Sequence, residues 1–128
     1  MKVGWTKALF VVAGVYDGVL GLAFLLAGDA IFGAFGVTPP NHPGYMQFPS
    51  LLLLVFAAMF FRIATDPVKH RGLIWYGMGL KIAYCGTVFG SQCRGGIPAM
   101  WIPWAWADLV FLLLFALALR QTRQPASR

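Results

Sequence analysis

Four long apolar runs alternate along the chain with short polar connections rich in proline or glycine. The first, Ala8–Ala27, is 20 residues long and is interrupted by a single charge, Asp17. The second, about Phe48–Ile63, opens with Pro49 in what reads as a first helical turn, where a missing N–H is tolerated. It ends at Arg62, whose stem can snorkel to a membrane surface. The third, Gly72–Gly90, carries Lys81, and the fourth, Ile102–Leu119, carries Asp108. Each is near the length a helix needs to cross about 30 Å of hydrocarbon. The pattern predicts an all-α, polytopic membrane protein: an up-down bundle of four transmembrane helices, with residues 1–128 as one domain.

The connections refine this. Asp29-Ala-Ile-Phe-Gly-Ala-Phe-Gly36 predicts a capped short helix lying in the membrane interface after the first span. Thr38-Pro-Pro-Asn-His-Pro-Gly44 is a rigid turn, and Asp66 before Pro67 is a good turn former. Cys93-Arg-Gly-Gly-Ile-Pro98 joins the third run to the fourth. None of these could house a soluble domain. Gln121–Arg128 reads as a short frayed tail. Lys2 and Lys7 ahead of the first run imitate a secretory signal, but a signal core spans about 7–15 residues. A retained transmembrane helix is expected instead.

Composition agrees. The chain is 59% hydrophobic and 11% charged, against about 45–50% and 25% in soluble domains. That excludes a soluble enzyme, a disordered tail and a disulfide scaffold. The net charge is +6, with ten Lys and Arg against four acids, all Asp. In a soluble protein this excess would point to nucleic acid. Here it sets topology. Lys2, Lys7, Arg62, Lys69, Arg71, Arg120, Arg123 and Arg128 fall on one side, and Arg94 alone on the other. Both termini and the 66–71 loop are therefore expected in the cytoplasm, and no nucleic-acid partner is expected. Trp101, Trp104 and Trp106 open the last run as an outer aromatic belt would.

Three charges are left well inside the spans: Asp17, Lys81 and Asp108. At helical rise, Asp17 and Lys81 lie about 13 Å from the inner ends of their spans and Asp108 about 16 Å. All three thus share a layer near the midplane. A lone Lys or Asp at a helix centre costs about 2.5–3.5 kcal/mol on insertion scales. The six aliphatic and Phe residues of the third span return about 3 kcal/mol, which Lys81 alone cancels. That span needs a counter-ion from a neighbour. Gly14-Val-Tyr-Asp-Gly18 is a small-xxx-small motif beside Asp17, so Gly14 and Gly18 are expected at a helix contact. Tyr84 and Trp104 fall near Lys81 and Asp108 and add a phenol and an indole donor. Two readings stand: a polar site for a ligand, proton or ion, or a structural salt bridge fixing helix register.

Other chemistry is thin. No catalytic residue, P-loop, G-x-S-x-G or H-E-x-x-H is found. His42 and His70 fall on opposite sides, so they cannot pair on a haem between helices, and a dimetal carboxylate site needs Glu. No metal site is expected. His42, Tyr45 and Gln47 read as loop decoration or as the lining of a small vestibule near Trp101. Met46, Met59, Met78 and Met100 read as packing. Cys85 and Cys93 read as ordinary small residues. A disulfide requires the helix to break near Gly86 or Gly90, because eight helical residues span about 12 Å.

The order of motifs resembles a set of small bacterial four-helix membrane proteins that are DoxX-like in architecture. It rests on Tyr16-Asp17-Gly18, Ile31-Phe-Gly-Ala-Phe35, Pro39-Pro40, Ala64-Thr-Asp-Pro67, Gly77 with Lys81, and Asp108, covering about 8–119. The resemblance implies a helical bundle of the bacterial inner membrane. It carries no established activity, although DoxX-type proteins are linked to oxidoreductase complexes as small partner subunits. The chain also resembles small multidrug transporters, whose first helix carries one embedded acid. Theirs is Glu, however, and here Lys81 would neutralise Asp17. A third likeness is to sterol-isomerase-type four-helix folds. The expectation is a non-enzymatic accessory or assembly subunit of a larger membrane complex, partnered by the bilayer and other membrane subunits. It has no cofactor beyond a bound lipid or quinone-like molecule. The alternatives are a transporter using Asp17, Lys81 and Asp108, and a membrane enzyme on a lipidic substrate.

Overall fold

The computed structural model describes residues 4–123, so Lys2, Arg128 and the tail beyond Arg123 lie outside the described residues. The chain is helical throughout, with no strand among the described residues. Its order is α1 (Gly4–Ala34), α2 (Gly44–Thr65), α3 (Arg71–Cys93), a 3-10 turn (Ala99–Trp101) and α4 (Ile102–Gln121). α1, α2 and the Ala99–Gln121 stretch are long and apolar enough to cross a membrane. α3 is long enough at 23 residues, but it does not reach that apolarity. Lys81 sits at its centre, and Tyr76, Tyr84, Thr87, Ser91 and Gln92 dilute the rest. The fourth span therefore does not stand on the sequence of α3 itself.

Helix boundaries depart from the apolar runs in two instructive places. α2 begins at Gly44, behind Pro43, so Pro49 lies in its second turn and not its first. Proline has no N–H for the carbonyl four residues back. The Ser50 hydroxyl donates to the next carbonyl, that of Met46, at 2.7 Å. Secondly, residues 28–34 are helical, as expected, but they run on from α1 across a kink with no cap of their own. The kink is one non-helical residue, Ala27 (φ −137°, ψ 27°). Phe32 is buried there against Phe24 and Trp101, while Asp29 is exposed. The interfacial helix is thus not supported as a distinct element. At the C-terminus Thr122 is buried and its hydroxyl donates to the Ala118 carbonyl at 2.8 Å. The last helix is tied down through Thr122, past the point where fraying was expected.

The helices form two hairpins, α1 with α2 and α3 with α4, each packed more closely within itself than against the other. Gly14 and Gly21 make the first hairpin tight. A Cβ on Gly14 would stand 2.7 Å from the Phe61 ring, and one on Gly21 would stand 2.8 Å from the Ser50 carbonyl oxygen. Gly18 leaves ordinary room, 3.6 Å to Ala57. Close approach therefore repeats on Gly14 and Gly21, two helical turns apart, and not on Gly14 and Gly18.

One half of the bundle is dense. Phe10, Phe60 and Phe115 are fully buried together with Ile63 and Ile74. Phe10 stacks on Phe115 with centroids 4.9 Å apart, and Phe60 lies 5.3 Å from Phe115. The Arg71 side chain closes this end by donating from Nε to the Leu119 carbonyl at 2.9 Å. In the adjoining turn, Asp66 Oδ1 accepts the Lys69 N–H at 3.1 Å. At the opposite end Phe24, Phe32 and Trp101 form a second aromatic group with Met100.

Candidate functional site

Asp17 from α1, Lys81 from α3 and Asp108 from α4 meet between these two ends. Their exposures are 1%, 0% and 7%. The Lys81 ammonium donates to Asp17 Oδ1 at 3.1 Å and Oδ2 at 3.3 Å, and to Asp108 Oδ1 at 3.0 Å. Both carboxylates thus share one ammonium, Asp17 through two oxygens and Asp108 through one. The rings of Phe111, Tyr16 and Phe60 surround the same nitrogen, with centroids 5.1, 5.3 and 5.6 Å away. Aromatic faces attract a cation at this range. Lys81 thus joins the two hairpins: Asp108 is its neighbour within one, and Asp17 belongs to the other.

The remaining sequence candidates separate from this triad. Tyr84 does not reach Lys81; its hydroxyl donates to the Trp101 carbonyl at 2.8 Å and pins the 3-10 turn to α3. Trp104 lies across from Tyr16, with ring centroids 6.3 Å apart. His42 turns back onto its own loop, where its Nδ1 accepts the Gly44 N–H at 2.9 Å. His42, Tyr45 and Gln47 are not among the walls of the cavity beside the triad. Met59 and Met78 pack on the dense core, and Met46 and Met100 on the far aromatic group. Cys85 and Cys93 are both free, because α3 continues unbroken between them. Among the described residues no three His, Cys, Asp or Glu side chains group as metal ligands.

A cavity of about 410 Å³ opens on the side of the triad away from the dense core. Cavities of about 300–1,000 Å³ are typical of small-molecule sites. Asp17 and Asp108 stand at its floor. Its walls are aliphatic on α2 and α3, through Leu52, Leu53, Leu80 and Val88. On the α1 and α4 sides they are aromatic, through Tyr16, Phe24, Trp101 and Trp104. The Tyr16 hydroxyl is buried and finds no partner among the described residues. Leaving such a group unpaired costs about 1–3 kcal/mol.

Sequence reasoning did not single out Tyr16 or Gly21 as site or contact residues. Tyr16 adjoins Asp17, and an aromatic hydroxyl beside a midplane acid was the signal available. Gly21 falls on the Asp17 face of the first span, but that placement alone does not mark it as a point of closest approach. No family model matches the chain, and no curated protein or solved structure matches it either.

Proposed function

We propose that the protein is a non-enzymatic, integral membrane accessory subunit of a larger membrane complex, and that it holds a lipid or quinone-like molecule. One observation carries this: a ligand-sized apolar cavity whose floor is charged and whose walls come from all four helices. Such a pocket accommodates an apolar body with a small polar head. In this reading α3 is the fourth span, made tolerable by two counter-ions, and the architecture is DoxX-like. Residues 28–34 lie near the outer surface, and both termini face the cytoplasm of a bacterial inner membrane.

Two measurements test it. Isolation from native membranes in mild detergent, followed by native mass spectrometry, should recover the chain with bound lipid and a partner protein. A lone, lipid-free chain overturns the reading. In intact cells, exposed Cys93 should react with a membrane-impermeant maleimide from outside while a C-terminal reporter stays inside. Cys93 protected from the reagent, with the reporter outside the cell, removes the fourth span.

The same walls, Asp108 with Trp104 and Tyr84, favour a second reading, a membrane enzyme acting on a lipidic substrate. It needs an acid and a base free to exchange protons. Asp17 has both oxygens on Lys81 and Tyr84 donates to Trp101, so binding without turnover is the reading carried forward. For a transporter the same double contact withholds Asp17.

A further inference from the structure

The floor of the cavity selects the head group of its occupant. Two carboxylates against one ammonium leave one negative charge in excess when all three are ionised. Lys81 is fully buried behind the two carboxylates and does not line the cavity, so it offers no N–H to an incoming anion. Asp108 engages Lys81 through Oδ1 only. Its Oδ2 accepts no hydrogen bond from the described residues, in a side chain 10% exposed that borders the cavity. The Tyr16 hydroxyl is a second buried group without a partner, on the same border. Above them stand the Trp101, Trp104 and Tyr84 side chains, whose ring faces favour a cation.

Each class of head group meets this floor differently. A carboxylate or phosphate meets an excess negative charge and no free cation. A quinone carbonyl can accept the Tyr16 O–H, but it leaves Asp108 Oδ2 without a donor and the charge uncompensated. An alcohol supplies one donor and leaves the charge uncompensated. A protonated amine supplies both donors and charge.

We propose that the cavity takes an amphiphile whose head is a protonated amine, hydrogen-bonded to Asp108 Oδ2 and to the Tyr16 hydroxyl oxygen, with its chain between the Leu walls. The proposal rests on the cavity holding a lipidic molecule and narrows which one. The amine can belong to a free long-chain base or to an amine-bearing membrane lipid.

The experiment measures binding to the full chain in detergent, read by tryptophan fluorescence, of dodecylamine, dodecanol, dodecanoate and a short-chain quinone. Dodecylamine should bind about tenfold or more tighter than dodecanol, the margin of a charge-assisted over a neutral hydrogen bond, and dodecanoate weakest. Asp108→Asn leaves Lys81 on Asp17 and should erase the amine's advantage over dodecanol. Leu52→Trp, at an exposed position on the rim, should weaken every member of the series. Phosphatidylethanolamine binding as tightly as dodecylamine assigns the head to a membrane lipid; dodecylamine alone assigns it to a free base. Either result supports the proposal.

Equal affinity for amine and alcohol, or tightest binding by the quinone or the acid, overturns the amine head and leaves the cavity reading standing. Binding by none of the series overturns both. Should Asp108→Asn fail to fold, the order of affinities in the unmodified chain still decides.

Discussion

The two halves of this bundle are built from the same four helices and similar side chains, yet one is packed and the other is hollow. Below Lys81, Phe10, Phe60 and Phe115 interlock with Ile63 and Ile74 and leave no gap of note. Above it, Leu20, Leu53 and Leu80 face a cavity of about 410 Å³ capped by Phe24 and Trp101. Hydrophobicity does not distinguish them. The hollow half has the proline-interrupted start of α2 and the 3-10 entrance to α4, both of which interrupt regular helix packing. The dense half has uninterrupted helix on every side. What separates the halves is a layer of three charges that must stay paired. The lesson is that a buried ion cluster can act as a partition, fixing the end of a core and the start of a site.

Removing the partition should have the largest effect. Lys81→Met leaves Asp17 and Asp108 facing each other without a cation, and should destabilise the chain in detergent by about 3–5 kcal/mol. The triple change Asp17→Asn, Lys81→Met, Asp108→Asn removes the whole cluster and should recover most of that loss on a thermal melt, as replacing an entire buried ion group commonly does. A triple variant as unstable as Lys81→Met alone would show that the charges are not acting as a balanced unit.

Next comes a direct contrast of the halves. Phe115→Ala, in the dense half, should cost about 3–5 kcal/mol because close packing leaves a void. Leu20→Ala, on the cavity wall, should cost under about 2 kcal/mol, since that side chain is only part-buried. Equal losses by denaturant titration would erase the distinction. Gly21→Ala follows: its Cβ meets the Ser50 carbonyl oxygen, backbone that cannot step aside, and should cost about 1–3 kcal/mol. Gly18→Ala, with ordinary room, should stay within about 0.5 kcal/mol. The one stabilising change is Tyr16→Phe. Deleting an unpaired buried hydroxyl should stabilise lipid-stripped protein by about 1 kcal/mol, and a loss on melting would mean that the hydroxyl has a partner after all.

Much of this was legible from the sequence. The apolar runs located the helices, because length and composition suffice for that. Counting residues at helical rise put Asp17, Lys81 and Asp108 in one layer, and they are in hydrogen-bond contact. The weakness of α3 was also legible, since Lys81 cancels the gain from its apolar residues. Other features were not. The start of α2 was placed too late, because the polar residues from Gly44 are helical in spite of their composition, and the run-on of 28–34 from α1 across the Ala27 kink was not foreseen. Tyr84 looked like a donor to the charges, but its rotation about α3 carries the hydroxyl to Trp101. The cavity was invisible in one dimension. It is walled by side chains of all four helices, and how those helices sit against one another is not encoded in any single run.

Lys81 also imposes an order on synthesis. The chain emerges from its N-terminus, and early segments begin to organise before later ones exist. Asp17 is made before Lys81, and Asp108 only after it. Asp17 is also the acid with both oxygens within 3.3 Å of the Lys81 ammonium. When α3 emerges, its stronger partner is therefore already in place on α1. The last helix then supplies the second carboxylate and closes the second hairpin.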